Sequence, residues 1–94
     1  MAYEALRTVV GRKRPLEILS IVAEDEPLNF TDIEARVETS SDVVSESLEI
    51  LTRYGLVERT EKSRQDVQYS TTKKGKTVLE SANDLESLLV SNQS

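Results

Sequence analysis

Residues 40–60, SSDVVSESLEILTRYGLVERT, decide the predicted fold. Ser40 or Ser41 can cap a helix, because a serine hydroxyl accepts a hydrogen bond from a free N–H group of the first helical turn. Apolar residues then recur at the spacing of one helix face, at Val44, Leu48 and Leu51. Gly55 is a residue type expected just past a helix end. The stretch therefore predicts a helix over residues 41–54 that leads directly into β-prone residues.

A shorter helix is predicted just before this one. Thr31 is a good N-cap, and Glu34 follows it at the spacing of a capping box. We predict that this helix runs to about Val37 and that residues 39–41 form a turn. A helix, a short turn and a second helix make up a helix-turn-helix, here over residues 31–54.

A β-hairpin is predicted directly after the helix-turn-helix. Residues 56–60 and 67–71 are rich in β-prone side chains, and the polar stretch 61–66 between them would form the tip. A hairpin in this place, over residues 56–71, is the wing of a winged helix-turn-helix. Residues 28–30 are a candidate third strand.

The predicted fold class is α+β and mostly α. Further helices are predicted over residues 3–10, from Pro15 to about Glu24, and over residues 72–90. A chain of 94 residues has the size of one domain. We therefore predict a single winged helix-turn-helix domain over residues 1–94, with a two- to three-stranded antiparallel wing.

Missing residue types exclude several functions. The chain has no histidine and no cysteine, so it has no thiolate or imidazole nucleophile, no ordinary zinc site and no disulfide. It also lacks a glycine-rich phosphate loop and a calcium loop. We therefore expect no catalytic activity, no metal and no cofactor. The N-terminus lacks a signal-peptide pattern and no apolar run is long enough to span a bilayer, so we expect a cytoplasmic protein.

A net charge of −5 by itself argues against binding to nucleic acid, but the basic residues are concentrated in two blocks. Residues 1–14 carry a net charge of +3 and residues 62–76 carry +4, on an otherwise acidic chain. The second basic block coincides with the predicted hairpin tip, where a winged helix meets DNA. The alternative interpretation is that both blocks are ordinary solvated surface.

Four segments carry a family resemblance: GRKRPLEIL at 11–19, LNFTDI at 28–33, LEILTRYGLVER at 48–59 and VQYSTTKKG at 67–75. They resemble the HxlR-type winged-helix regulators, which are related to MarR, and the resemblance covers roughly residues 9–82 in order. It implies a dimeric transcription regulator whose recognition helix, here over 41–54, enters the major groove. The wing would contact the flanking backbone.

The recognition helix departs from that family on its exposed face. Relatives carry Lys, Arg or Gln at positions where this chain has Asp42, Glu46, Ser47 and Glu49. Phosphates repel carboxylates, although a carboxylate can accept a hydrogen bond from cytosine N4. A second function therefore stays open, namely a protein–protein interaction module that has lost DNA binding. Relatives that sense electrophiles use a cysteine near the N-terminus, which this chain lacks.

Candidate DNA-binding residues lie at the start of the recognition helix, at its end, in the wing and in the basic blocks. Serines at a helix N-terminus can donate to phosphates or base edges, and basic side chains can clamp phosphate. We expect double-stranded DNA as the partner. The predicted residues are Ser40, Ser41, Ser45, Arg53, Lys62, Arg64, Gln65, Lys73, Arg12 and Arg14.

An apolar stripe runs along the predicted C-terminal helix. Thr72 caps this helix, and Gly75 is expected to weaken its first turn. The stripe either covers the chain's own core or pairs with a second copy, and the family arrangement implies pairing together with the first helix. A two-fold dimer would place the recognition helices about one DNA turn, roughly 34 Å, apart. The predicted interface residues are Leu6, Val9, Val10, Val78, Ala82, Leu85 and Leu89.

The acidic surplus suggests a common cause, because 17 acidic residues stand against only 5 lysines. Proteins that work in molar salt tend to carry surplus carboxylates. At about 1 M salt the Debye length is about 3 Å, so acids on the recognition helix would repel DNA far less than in dilute buffer. We therefore hypothesise a halophilic, archaeal source.

Overall fold

The computed structural model describes residues 2–91, which form five helices and one three-stranded antiparallel sheet. The strand order is β1-β3-β2, so the sheet confirms the predicted α+β class and its third strand. None of the described helices is long and apolar enough to cross a membrane. Residues 1 and 92–94 of the predicted domain lie outside the described residues. In chain order the elements are α1 Glu4–Val9, α2 Lys13–Asp25, β1 Leu28–Asn29, α3 Phe30–Arg36, α4 Ser41–Arg53, β2 Val57–Ser63, β3 Asp66–Thr71 and α5 Lys73–Val90.

The core lies between α2, the α3–α4 hairpin and the sheet. Each helix buries one apolar stripe, and full burial of an aliphatic side chain stabilises the fold by about 1.5–3 kcal/mol. This burial fixes α4 on α2 and leaves the opposite face of α4 in solvent. The completely buried side chains include Ile18, Leu19, Val22, Ile33, Val44 and Leu51.

The start of α3 differs from the prediction. Asn29 is the N-cap, and its side-chain oxygen accepts a hydrogen bond from the N–H of Asp32 at 2.8 Å. Glu34 accepts a hydrogen bond from the Ser41 hydroxyl and so links α3 to α4. The predicted capping box from Thr31 to Glu34 was wrong, because asparagine caps at least as well as threonine and stands in β1 two residues earlier.

Both ends of α4 have the expected local chemistry. The Ser40 hydroxyl accepts a hydrogen bond from the N–H of Val43 at 3.3 Å. Gly55, just past the helix, has a φ of +75°, a left-handed conformation that favours glycine. Ser47 is only 3% exposed, so its predicted place on the exposed face was wrong. It lies in the same helical stripe as the buried residues Val44, Leu48 and Leu51.

The hairpin has a tighter turn than predicted. β2 and β3 pair from Val57 opposite Thr71 outward, with a register shift between Glu61 and Ser63. Residues 64–65 alone form the turn. The predicted tip over 61–66 is therefore too long, because polar residues extend a ribbon whose side chains are exposed and whose backbone groups still pair.

A close contact between α5 and the residue before β2 fixes the start of α5. The Thr72 hydroxyl accepts a hydrogen bond from the N–H of Gly75 at 2.9 Å and donates to the carbonyl of Gly55 at 2.6 Å. A Cβ added at Gly75 would lie 2.1 Å from the carbonyl oxygen of Leu56. The interpretation of Gly75 as a weak point was wrong, because this close approach requires glycine.

A partly buried carboxylate joins the end of α2 to β3 and α5. One oxygen of Glu26 accepts hydrogen bonds from the N–H of Thr71 at 2.6 Å and from its hydroxyl at 2.7 Å. The other oxygen lies 3.1 Å from Nζ of Lys76. The hydrogen bonds from Thr71 and the charge of Lys76 lower the pKa of Glu26, against the raising effect of burial.

Candidate nucleic-acid interface

Three serines at the start of α4 were predicted to contact DNA, and all three are exposed. The Ser40 hydroxyl caps the helix, and the Ser41 hydroxyl donates to Glu34. Ser45, one turn further along, makes no side-chain hydrogen bond to another described residue. Of the three hydroxyls, that of Ser45 is therefore available to a ligand without breaking a contact within the described part of the chain.

The acidic face of α4 is exposed, and part of its charge is balanced. Asp42, Glu46 and Glu49 all point to solvent. Nη2 of Arg12 lies 3.5 Å from Oε2 of Glu46, with both side chains about half exposed. An exposed pair of this kind contributes at most about 1 kcal/mol to stability. It does, however, place a cation beside the helix whose charge most opposes DNA.

Arg14 was predicted to bind DNA, and the structure places it in contacts within the chain. Its Nη1 lies 2.6 Å from Oε1 of Glu17, and its Nη2 donates to the carbonyl of Glu38 at 3.3 Å. These contacts join α2 to the turn before α4. Binding a phosphate through Arg14 would compete with both of them.

The predicted DNA-binding residues of the wing are all exposed. Lys62 lies near the end of β2, and Arg64 and Gln65 form the turn. None of the three makes an ion pair or side-chain hydrogen bond within residues 2–91. Their charge is therefore available to an external anion.

Two lysines near the start of α5 differ in their contacts. Lys73 is exposed at the first position of the helix. Lys76 pairs with Glu26 at 3.1 Å. The anion beside Lys76 is thus supplied by the chain itself. Lys73 stays a predicted DNA-binding residue.

An open groove of about 560 Å³ separates the exposed face of α4 from the sheet. Arg53 at the end of α4 and Arg59 on β2 both line it. Arg59 was missed by sequence reasoning, although two-residue alternation from the buried Val57 puts both side chains on one face of β2. The remaining lining residues are Phe30, Ser45, Leu48, Glu49, Thr52 and Tyr69.

Five of the seven residues predicted for a dimer interface line one groove, and Leu89 and Val9 do not. Val9 is 6% exposed and belongs to the core, so its predicted place on the interface was wrong. Its position in the stripe of α1 did not reveal which side of that helix faces α4. An apolar groove of about 190 Å³ between α1 and α5 is lined by five of the others, Leu6, Val10, Val78, Ala82 and Leu85.

The described residues contain no cluster of side chains that could bind a metal ion. Within residues 2–91, no group of three or more Asp and Glu side chains is arranged to hold an ion.

A family model described as a winged helix DNA-binding domain matches residues 12–75. The chain belongs to this winged helix family. The match includes α2, the helix-turn-helix and the whole wing. The family is described by DNA binding and not by a catalytic activity.

Solved structures with the winged helix fold resemble this chain over most of its length. One is described as a possible HxlR family transcriptional factor from Thermoplasma volcanium GSS1, with 30% identity, a TM-score of 0.76, and 95% of this chain and 82% of that chain covered. This match confirms the HxlR-type resemblance. Comparison with curated proteins gave no match.

Two more distant structures share the winged helix fold. The reduced transcriptional regulator YodB from B. subtilis has 23% identity and a TM-score of 0.74, with 89% of this chain and 84% of that chain covered. FabT from Streptococcus pneumoniae, in complex with DNA, has 19% identity and a TM-score of 0.67, with 89% and 64% covered.

Proposed function

We propose that this winged helix protein is a homodimeric transcriptional regulator that binds double-stranded DNA. In this proposal α4 lies in the major groove and the turn of the wing contacts flanking DNA. The observation that carries it is the exposed cationic tip of the wing, where Lys62 and Arg64 have no partner among the described residues. FabT, which shares the fold and was solved in complex with DNA, supports DNA as the partner.

The acidic face of α4 limits how much this helix can contribute to DNA affinity. Phosphates on both sides of the major groove repel Asp42 and Glu49, and a carboxylate can accept hydrogen bonds only from the amino groups of the bases, most often cytosine N4. Most of the affinity must therefore come from cations outside this face. The wing supplies two of them at its exposed end, Lys62 in β2 and Arg64 in the turn.

A charge-matched pair of variants tests this proposal. Lys62→Gln combined with Arg64→Gln removes two charges from the wing, whereas Arg7→Gln combined with Arg36→Gln removes two charges from α1 and α3. Binding to a duplex from the protein's own upstream DNA is measured by gel shift at low KCl. We expect the wing variant to lose at least about tenfold in affinity and the control to stay close to the unchanged protein. Equal affinities for both variants would contradict the role of the wing.

Dimerisation is supported by apolar side chains left in solvent on α1 and α5. Leu6 is 47% exposed, Leu85 41% and Leu89 73%. Leu6 and Leu85 line the α1–α5 groove, and an exposed apolar patch can mark an interaction site in soluble proteins. A second copy of the chain would cover the α1–α5 groove and place two copies of α4 about one DNA turn apart.

The dimer is tested by adding charge to α5 at two places. Leu85→Glu combined with Leu89→Glu puts carboxylates on the apolar stripe, and Asn83→Glu combined with Ser87→Glu adds equal charge on the other side of the helix. Analytical ultracentrifugation should show a monomer for the first variant and a dimer for the second. A monomeric unchanged protein would refute dimerisation.

An interaction module without DNA binding is the other outcome of the gel-shift experiment. The exposed carboxylates of α4 could dock a basic partner. This function requires that the unchanged protein fails to bind duplex DNA at every salt concentration.

A further inference from the structure

We propose that the groove between α4 and the sheet holds a backbone phosphate of the bound DNA, gripped by Arg59 and Arg53. The inference rests on the proposed function and extends it, because Arg59 lies outside both the wing turn and the recognition face. It makes Arg59 a DNA-binding residue and assigns the groove a ligand, the phosphodiester group.

The position of Arg59 follows from the pleat of the wing. Val57 is buried against the core, and Arg59, two residues along β2, lies on the same face of the strand. Arg59 pairs in register with Tyr69 of β3, so the two side chains are neighbours on that face. The core ends between Val57 and Arg59, and the groove begins there. Arg59 is therefore held on a paired strand, whereas the wing turn is a two-residue loop.

The ion pairs of the chain separate its arginines into two groups. Arg12, Arg14 and Arg36 each lie within 3.5 Å of a carboxylate oxygen. The other four, Arg7, Arg53, Arg59 and Arg64, make no ion pair with any residue in 2–91, and of these Arg53 and Arg59 line the groove. Two guanidinium groups thus face one groove without a partner among the described residues.

The chemistry of the groove matches a phosphodiester. A guanidinium presents a planar fork of N–H donors that fits two phosphate oxygens. The hydroxyls of Ser45 and Thr52 line the same groove and can donate to the remaining oxygens. Glu49 is the one carboxylate among the lining residues, so the two arginines leave the groove with a net positive charge.

The location selects DNA backbone over a free anion. A backbone strand separates the major groove, where α4 would lie, from the neighbouring groove, where the wing would lie. That strand must cross the space between α4 and the wing. The two arginines face this space from both sides, one from the helix and one from the strand.

Three single variants test the proposal on a random-sequence duplex, because a backbone contact needs no particular sequence. Arg59→Gln and Arg53→Gln each remove a groove charge, and Arg7→Gln removes an exposed charge from α1. Affinity is measured by fluorescence anisotropy from about 50 to about 200 mM KCl. The slope of log K against log salt should fall in magnitude by about 0.9 for each phosphate that is no longer neutralised, or about 1.8 for a dimer. Affinity at low salt should fall about tenfold or more, and Arg7→Gln should change neither value.

The outcomes separate this inference from the proposed function. Duplex binding by the unchanged protein, with Arg59→Gln indistinguishable from Arg7→Gln, would overturn the groove contact and leave the regulator proposal intact. No duplex binding at the lowest salt would overturn both. Should Arg59→Gln fail to fold, Arg59→Lys decides the question. It keeps the charge and the slope but loses the fork, so unchanged affinity would overturn the proposal.

Discussion

Replacing Glu26 by alanine removes the carboxylate that joins α2, β3 and α5. The change deletes two hydrogen bonds from Thr71 to one charged oxygen, at 2.6 and 2.7 Å, and leaves the N–H of the buried Thr71 without its acceptor. A hydrogen bond to a charged group contributes about 1.5–3 kcal/mol net, and two bonds to one oxygen do not add fully. The ion pair with the half-exposed Lys76 adds at most about 1 kcal/mol.

We therefore expect Glu26→Ala to lower the free energy of unfolding by about 2–4 kcal/mol. Glu26→Gln should lower it by about half as much, because the amide oxygen can still accept from Thr71. Urea unfolding followed by circular dichroism gives both values. Glu24→Gln is the control, since Glu24 is exposed on the same helix and makes no ion pair within the described residues. It should change stability by less than about 0.5 kcal/mol.

The pH dependence gives the sharper test. The pKa of Glu26 in the folded state is lowered from its ordinary value of 4.5, chiefly by the hydrogen bonds from Thr71. The unfolded chain therefore takes up the proton first as the pH falls. The stabilisation by the charge is complete above about pH 5 and is lost as the pH falls through the folded pKa. The stability difference between the unchanged protein and Glu26→Gln should shrink between about pH 7 and about pH 3. An equal difference at both pH values would refute the reasoning.

Three further predictions concern the packing of α5, the cap of α4 and the acidic surface. Gly75→Ala places a Cβ 2.1 Å from the Leu56 carbonyl and should cost about 1–3 kcal/mol in thermal unfolding, while an unchanged melting temperature would contradict the close contact. Ser40→Ala should cost about 1 kcal/mol in urea unfolding, and Ser45→Ala, which removes no hydrogen bond, should cost far less. If the source is halophilic, stability should rise between about 50 mM and about 2 M KCl, whereas equal stability at both would remove support for that hypothesis.

Local patterns in the sequence were sufficient for much of the fold. The helical spacing of Val44, Leu48 and Leu51 identified α4, because a buried stripe depends only on the spacing of residues within one helix. The β-prone runs around the wing and the threonine cap of α5 are equally local. Elements of this kind depend on neighbours within a few residues, which a single sequence displays.

Features that depend on contacts between distant segments were missed. Gly75 was interpreted as a weak point, because only the tertiary structure brings the carbonyl of Leu56 against it. Val9 was assigned to the dimer surface, and it is buried because α1 packs on the body of the domain.

The candidate site shows the same division. The sequence indicated the basic wing, since its charges are contiguous. Arg59 was overlooked because its position beside Arg53 follows from strand register and helix packing together. Arg12 and Arg14 were interpreted as available cations. The partner of Arg12, Glu46, lies on a distant helix, whereas the partner of Arg14, Glu17, is only three residues along the same helix and was overlooked.

The measurement that tests the central claim most directly is a titration of the unchanged protein against duplex DNA from low to molar KCl. A duplex from the DNA upstream of the protein's gene and a random-sequence duplex are compared at each salt concentration. The proposed function predicts binding to both duplexes that weakens steadily with salt, and tighter binding to the upstream DNA at every concentration. Absence of binding to either duplex at the lowest salt would contradict it.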